Sequence, residues 1–112
     1  MNTRIIKVYA DPGHAWASVP VEELVDLGIA HKISSYSYRR FGSNLANLEE
    51  DCDLSLYIEA LKVRGIPVKF EEFHTNKYSR IRSYRPFGLS AAEKTLSIAN
   101  ENSWREYRVC MP

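Results

Sequence analysis

Apolar and polar positions along the chain change period several times, and each change predicts an element. Ile5 to Ala10 is a run of β-branched and aromatic residues, the composition of a strand, and Asp11-Pro12-Gly13 stops it with a turn. His14 to Val19 suits the returning strand. Pro20 then fits the start of a helix, with Glu22 and Glu23 in its electropositive first turn. Val21, Leu24 and Val25 have the i, i+3, i+4 spacing of a core-facing stripe, and Gly28 supplies a left-handed stop.

Lys32 to Phe41 reads as a strand, with Tyr36, Tyr38 and Arg40 on one face and Ile33, Ser35 and Ser37 on the other. Gly42-Ser43 offers a hairpin turn into Asn44 to Leu48. The clearest helical pattern runs from Asp53, a good N-cap, to Arg64, with Leu54, Tyr57, Ile58 and Leu61 as its apolar stripe. Gly65 and Pro67 end it, after which Ile66, Val68 and Phe70 alternate as a strand. Ile81 to Tyr84 suits an edge strand, broken by Pro86-Phe87-Gly88. Ser90 to Glu93 is a capping box opening a third short helix supported by Leu96, Ile98 and Ala99. Trp104 to Met111 fits either a last strand or a docked tail. The predicted order, roughly ββα ββα β(β)α, implies an α+β fold: a mostly antiparallel sheet with two or three short helices on one face.

At 112 residues the chain matches one domain, residues 1–112, large enough to bury a core without staples. Apolar residues at 45% and charged residues at 26% exclude a disordered chain, and a net charge of +1 excludes a global field that recruits nucleic acid or membrane. Two cysteines, Cys52 and Cys110, have neither disulfide-scaffold nor zinc spacing. With no apolar run of signal-peptide or membrane-span length, the expected setting is the cytoplasm, with both thiols free and no membrane partner.

Charge is nevertheless unevenly placed. Glu49, Glu50, Asp51, Asp53 and Glu59 fall in a stretch without a base, and Lys77, Arg80, Arg82 and Arg85 in a stretch without an acid. The carboxylates Glu49, Glu50, Asp51 and Asp53 precede the best helix. Helix capping accounts for two or three of them, and the surplus suggests an acidic docking surface. Around the bases, Tyr36, Tyr38, Arg39 and Arg40 and then Lys77, Arg80, Arg82, Tyr84 and Arg85 interleave cations with aromatic rings. That is the composition of strands that track phosphates and stack bases, and equally of a charge-guarded edge strand. No Gly-rich phosphate loop is present, and no Ser/His/Asp or Cys/His pair has a recognisable context. A Cys52 nucleophile would sit beside acids that raise its pKa.

Asp11-Pro12-Gly13-His14 follows a strand and resembles the opening zinc motif of cell-wall amidases, in which the His binds zinc. That family continues with glycines where this chain has Ala15 and Trp16, and His31, His74, Glu49 and Glu50 complete no ligand spacing. The simpler expectation is a capped turn, with no metal, no cofactor and no catalytic residues.

The stretch from residue 5 to residue 85 resembles a family of small uncharacterised proteins of phages and other mobile elements. The resemblance is carried by Val8-Tyr9-Ala10-Asp11-Pro12-Gly13-His14-Ala15-Trp16, Leu27-Gly28-Ile29, Lys32-Ile33-Ser34-Ser35-Tyr36-Ser37-Tyr38, Leu48-Glu49-Glu50-Asp51-Cys52-Asp53 and Ile81-Arg82-Ser83-Tyr84. Residues 86–112 fall outside it. The family carries no assigned activity, so the resemblance implies a setting: a non-enzymatic accessory protein that binds and inhibits a host protein complex, such as an anti-CRISPR counter-defence inhibitor, acting as monomer or homodimer. The alternative reading is a single-stranded nucleic-acid-binding protein that uses its Tyr/Arg-rich strands.

Overall fold

The structure is a computed structural model and describes residues 3–40 and 42–110. Strand β1 (Arg4–Ala10) turns through Asp11–His14 into β2 (Ala15–Pro20), and the two pair antiparallel with Tyr9 opposite Trp16. Helix α1 (Val21–Asp26) follows directly, burying Val21, Leu24 and Val25 as their spacing predicts. Strands β3 (Tyr38–Arg39) and β4 (Leu45–Glu49) form the second hairpin, and β4 pairs antiparallel with β2. Helix α2 (Asp53–Val63) carries the chain back across the sheet to β5 (Val68–His74), which lies parallel to β1. A parallel neighbour requires such a crossover, because a hairpin can only join antiparallel strands. Edge strand β6 (Arg85–Pro86) and helix α3 (Ala91–Cys110) complete the fold. Among the described residues the sheet has six strands in the order β5-β1-β2-β4-β3-β6, mostly antiparallel, and with three helices it makes the chain an α+β domain.

The two faces of the sheet differ. Ile6, Val8, Ala17, Val19, Ala46 and Leu48 point to one side, where they form the main core with Leu24 and Val25 of α1 and Tyr57 and Leu61 of α2. Ile5, Lys7, Tyr9, Trp16, Ser18 and Asn47 alternate with them and so point to the opposite, helix-free side. Helix α3 packs outside α1 rather than on the sheet. Gly28, at φ 72°, permits that approach: a Cβ there would lie 2.5 Å from the backbone nitrogen of Glu101. The Asn100 side chain donates to the Val25 carbonyl at 2.9 Å, locking the two helices.

Four expected elements are corrected. Residues 32–41 form no long strand: Ala30–Lys32 is a 3-10 turn and only Tyr38–Arg39 pair, while Phe41 lies outside the described residues. Asp53 causes this. It does not cap α2 but is buried, accepting from the Ser34 amide at 3.1 Å and from the Ser34 and Ser37 hydroxyls at 2.6 Å each. Those bonds bend Ser34–Ser37 into a turn. Glu49 takes over the capping role, accepting from the amides of Asp51 at 2.9 Å and Asp53 at 3.0 Å. Ile81 to Tyr84, expected as an edge strand, falls mostly within a 3-10 turn, Arg80–Ser83, capped by Ser79, and the edge strand Arg85–Pro86 follows it. The third helix opens on the expected capping box, with Ser90 and Glu93 bonding each other's amides. It then runs 20 residues and absorbs Trp104 to Cys110; Met111 lies outside the described residues. Its inward stripe is Ser97, Asn100, Glu101 and Trp104, whereas Leu96 and Ile98 are exposed. A stripe that is polar but for Trp104 carries little hydropathy signal.

Leu61 has no exposed surface and fills the space between α2 and the sheet. Leu61→Ala is expected to cost about 2–5 kcal/mol, read as a lowered midpoint in denaturant unfolding.

Candidate nucleic-acid interface

The segment between β5 and β6, residues 75–84, folds back over the helix-free face of the sheet. Asp11 holds it there. Its carboxylate has no exposed surface and accepts five hydrogen bonds. Two come from the Gly13 and His14 amides of its own turn, each at 3.0 Å. The other three come from the returning segment: the Ser79 amide at 3.0 Å and the Arg82 guanidinium at 2.6 and 2.9 Å. A bidentate guanidinium with supporting amides is among the strongest arrangements a carboxylate can enter. It holds Asp11 far below the usual carboxylate range, the Arg82 bond contributing most.

Arg82 is thereby fixed beneath two aromatic rings, 4.7 Å from the Tyr78 centroid and 5.4 Å from the Trp16 centroid. Trp16 meets Tyr38 edge-on at 6.2 Å, and Tyr9 stacks on Phe73 at 5.2 Å. Ile81 is buried on this face, apart from the main core, which anchors the middle of the returning segment. Between this segment and the sheet runs a groove of about 520 Å³. Arg40, Lys77 and Arg80 bring its charge, and Tyr9, Tyr78 and Tyr84 its rings. Ser18, Ser43, Asn47 and Thr75 add polar groups, and among the described residues no carboxylate lines it.

Of the basic and aromatic positions singled out in the sequence, Arg40, Lys77, Arg80 and Tyr84 converge on this groove although two segments far apart in the chain supply them. Tyr38 and Arg82 build its support. The other three lie elsewhere. Arg39 points to the helix side and forms a bidentate pair with Glu93 at 2.9 Å, which holds that carboxyl down at about 2. Tyr36 sits exposed in the bend before β3, and Arg85 is exposed in β6. Tyr9, Trp16, Tyr78 and Asn47 were not singled out as site residues. For Tyr9, Trp16 and Asn47 the signal is the i, i+2 alternation along β1, β2 and β4, which is visible only once the burying face is known; Tyr78 lies in no strand and follows from the fold of residues 75–84.

The acidic positions do not form one surface. Glu49 is turned onto the amides at the start of α2, and Asp53 is buried against Ser34 and Ser37. Glu50 and Asp51 remain exposed. The Cys52 thiol is pushed up by the neighbouring Glu49 charge and those of Asp53 and Asp51, as the sequence suggests. Among the described residues no three His, Cys, Asp or Glu side chains are placed to share a metal ion. In the Asp-Pro-Gly-His turn, Asp11 is committed to Arg82 and His14 is exposed beside Trp16.

One triad-like set does occur. His31 Nδ1 lies 2.7 Å from Ser97 Oγ, and its Nε2 lies 3.2 Å from Glu101 Oε1. Ser97 has no exposed surface, and its oxygen also takes the His31 amide at 3.3 Å. The set fastens α3 to the 3-10 turn at residues 30–32. Lys32 completes it with an ion pair to Glu101.

Comparisons with models of protein families, with curated proteins and with solved structures yield no match to this chain. No helix among the described residues is long and apolar enough to cross a membrane.

Because folding favours ionised Asp11, its contribution to stability is complete at neutral pH. It is lost as pH falls below the ordinary carboxylate value of 3.8. Asp11→Asn is expected to flatten that acid limb of the stability curve. It should also speed hydrogen exchange at the amides of Ser79 to Tyr84 relative to those of β1, measured at neutral pH.

Proposed function

We propose that this protein binds single-stranded nucleic acid on the helix-free face of its sheet. The observation that carries the reading is the convergence of Arg40, Lys77 and Arg80 with Tyr9, Tyr78 and Tyr84 along one groove that no carboxylate lines among the described residues. Guanidinium and ammonium groups attract the phosphate backbone, and aromatic side chains beside it offer flat surfaces for unstacked bases. Tyr78 is 79% exposed, a ring whose surface no protein core claims. Asn47 and Ser18 supply donors and acceptors for base edges or sugar hydroxyls. A duplex presents its bases edge-on inside grooves, so rings lying along a sheet favour a single strand.

The near-neutral total charge does not oppose this. Arg39 and Arg82 are neutralised internally by Glu93 and Asp11, and Glu49 and Asp53 are withdrawn into capping and turn bonds. What remains at the groove is positive. The competing reading, an acidic surface occupying a basic groove of a host complex, retains Glu50 and Asp51 of its four carboxylates. A setting as a phage accessory protein is compatible with either partner.

Fluorescence polarisation of labelled single-stranded DNA and RNA, with a duplex as comparator, tests the proposal. The logarithm of the affinity is expected to fall linearly with the logarithm of salt concentration. Arg40→Ala and Arg80→Ala should each reduce the slope by about 0.7, the value for one single-strand phosphate contact. Tyr78→Ala should cost about 1–3 kcal/mol at every salt concentration, the range for one lost base stack. No binding at low salt, or binding indifferent to all three substitutions, removes the reading.

A further inference from the structure

The two edges of the sheet are finished differently. At one end β6 is two residues long and contains Pro86, which cannot donate to a further strand. At the other end β5 is seven residues long, almost wholly exposed, and pairs among the described residues only with β1. Phe70 and Phe73 are 47% and 43% exposed on it. Such an edge is a template for another strand.

The ladder shows which groups are on offer. The Arg4 amide bonds to the Pro67 carbonyl and the Thr75 amide to the Ala10 carbonyl, so odd-numbered residues of this strand bond inward to β1. The N–H and C=O groups of Val68, Phe70 and Glu72 therefore point outward. Phe70 shares the helix side of the sheet with Ile6, while Lys69 and Glu71 share the groove side with Ile5 and Lys7.

We propose that β5 pairs antiparallel with β5 of a second copy of this chain about a two-fold axis at Phe70, making one continuous sheet. Overlap and charge together select the register, since centring on Val68, Phe73 or His74 would leave most of β5 unpaired. A two-fold axis perpendicular to the sheet keeps like faces together, so it must pass midway between the two copies of one residue. Centred on Lys69, the pairing sets Lys69 against Lys69; centred on Glu71 or Glu72, it opposes two glutamates. Centred on Phe70, it places Lys69 opposite Glu71 of the other copy, twice. It also stacks Phe70 on Phe70 and matches the outward groups of Val68 with those of Glu72. The two charge pairs fall at the narrow, non-hydrogen-bonded positions, where facing side chains approach most closely. The contact is isologous, so it closes as a dimer and leaves the short β6 edges outermost. The same axis puts both grooves on one side of the joined sheet. The pairing itself rests on the edge strand and not on the proposed ligand.

Sedimentation of the full chain without nucleic acid tests it. The native protein is expected as a dimer. Lys69→Glu and Glu71→Lys each oppose like charges in that register, so each alone is expected as a monomer, and an equimolar mixture of the two as a heterodimer. Phe70→Pro removes an outward N–H while leaving the β1 ladder intact, and is expected as a folded monomer by circular dichroism. A native monomer at every concentration overturns the proposal. So does a dimer that survives both Lys69→Glu and Phe70→Pro. Monomeric single variants that fail to associate when mixed overturn the register.

Discussion

The pair formed by Asp11 and Arg82 joins the first turn of the chain to a segment 71 positions later, and the character of the helix-free face depends on it. Residues 75–84 contain one buried apolar anchor, Ile81, and are otherwise mostly exposed and charged or aromatic. Little hydrophobic burial holds them to the sheet. A carboxylate without exposed surface cannot remain unpaired, because its desolvation would otherwise cost several kcal/mol. The turn therefore needs Arg82 and the Ser79 amide as much as the segment needs the turn. The pair thus keeps Arg82 over Trp16 and holds Lys77 and Arg80 beside the sheet that supplies the groove's polar floor.

A second buried carboxylate performs a similar task on the other side of the molecule. Asp53 gathers Ser34 and Ser37, and Ser37 in turn accepts the Glu49 amide at 2.9 Å. This small network ends the strand that residues 32–37 would otherwise make and keeps β3 to two residues. The third polar cluster, His31 with Ser97 and Glu101, fastens α3. All three use charge or hydroxyl chemistry to position segments that hydrophobic burial leaves underdetermined. Their residue types, a His and a Ser beside carboxylates, suggest catalysis when taken as composition. In the third cluster Ser97 is fully buried, His31 and Glu101 are half-buried, and the bonds they make hold α3 in place.

The proposed nucleic-acid face and the proposed dimer edge are independent, yet they are compatible in geometry. A face built from one protomer spans few nucleotides, and joining two faces side by side raises the effective concentration of the second for a strand bound to the first. The stacked pair Tyr9 and Phe73 lies between groove and edge, giving the face an aromatic surface that continues toward the second copy.

Most of the element order was legible from local patterns. The β-branched run at 5–10, the stripe Val21, Leu24 and Val25 and the helix after Asp53 each bury their own apolar face, and burial is what periodicity records. The turn at Asp11 and the capping box at Ser90 were equally local, since each side chain bonds an amide two or three positions away. Only tertiary structure could decide where polar side chains go when their partners are remote. Asp53 was drawn off its helix by Ser34 and Ser37, Glu49 replaced it as cap, and Arg39 and Arg40, adjacent in sequence, were sent to opposite faces of the sheet. The inward stripe of α3 is polar but for Trp104, so its length and orientation followed from contacts with Gly28, His31 and Val25. Sequence alone determined that bases and tyrosines alternate; the fold alone determined which of them share a groove, because a hydrogen bond across 71 positions leaves no local pattern.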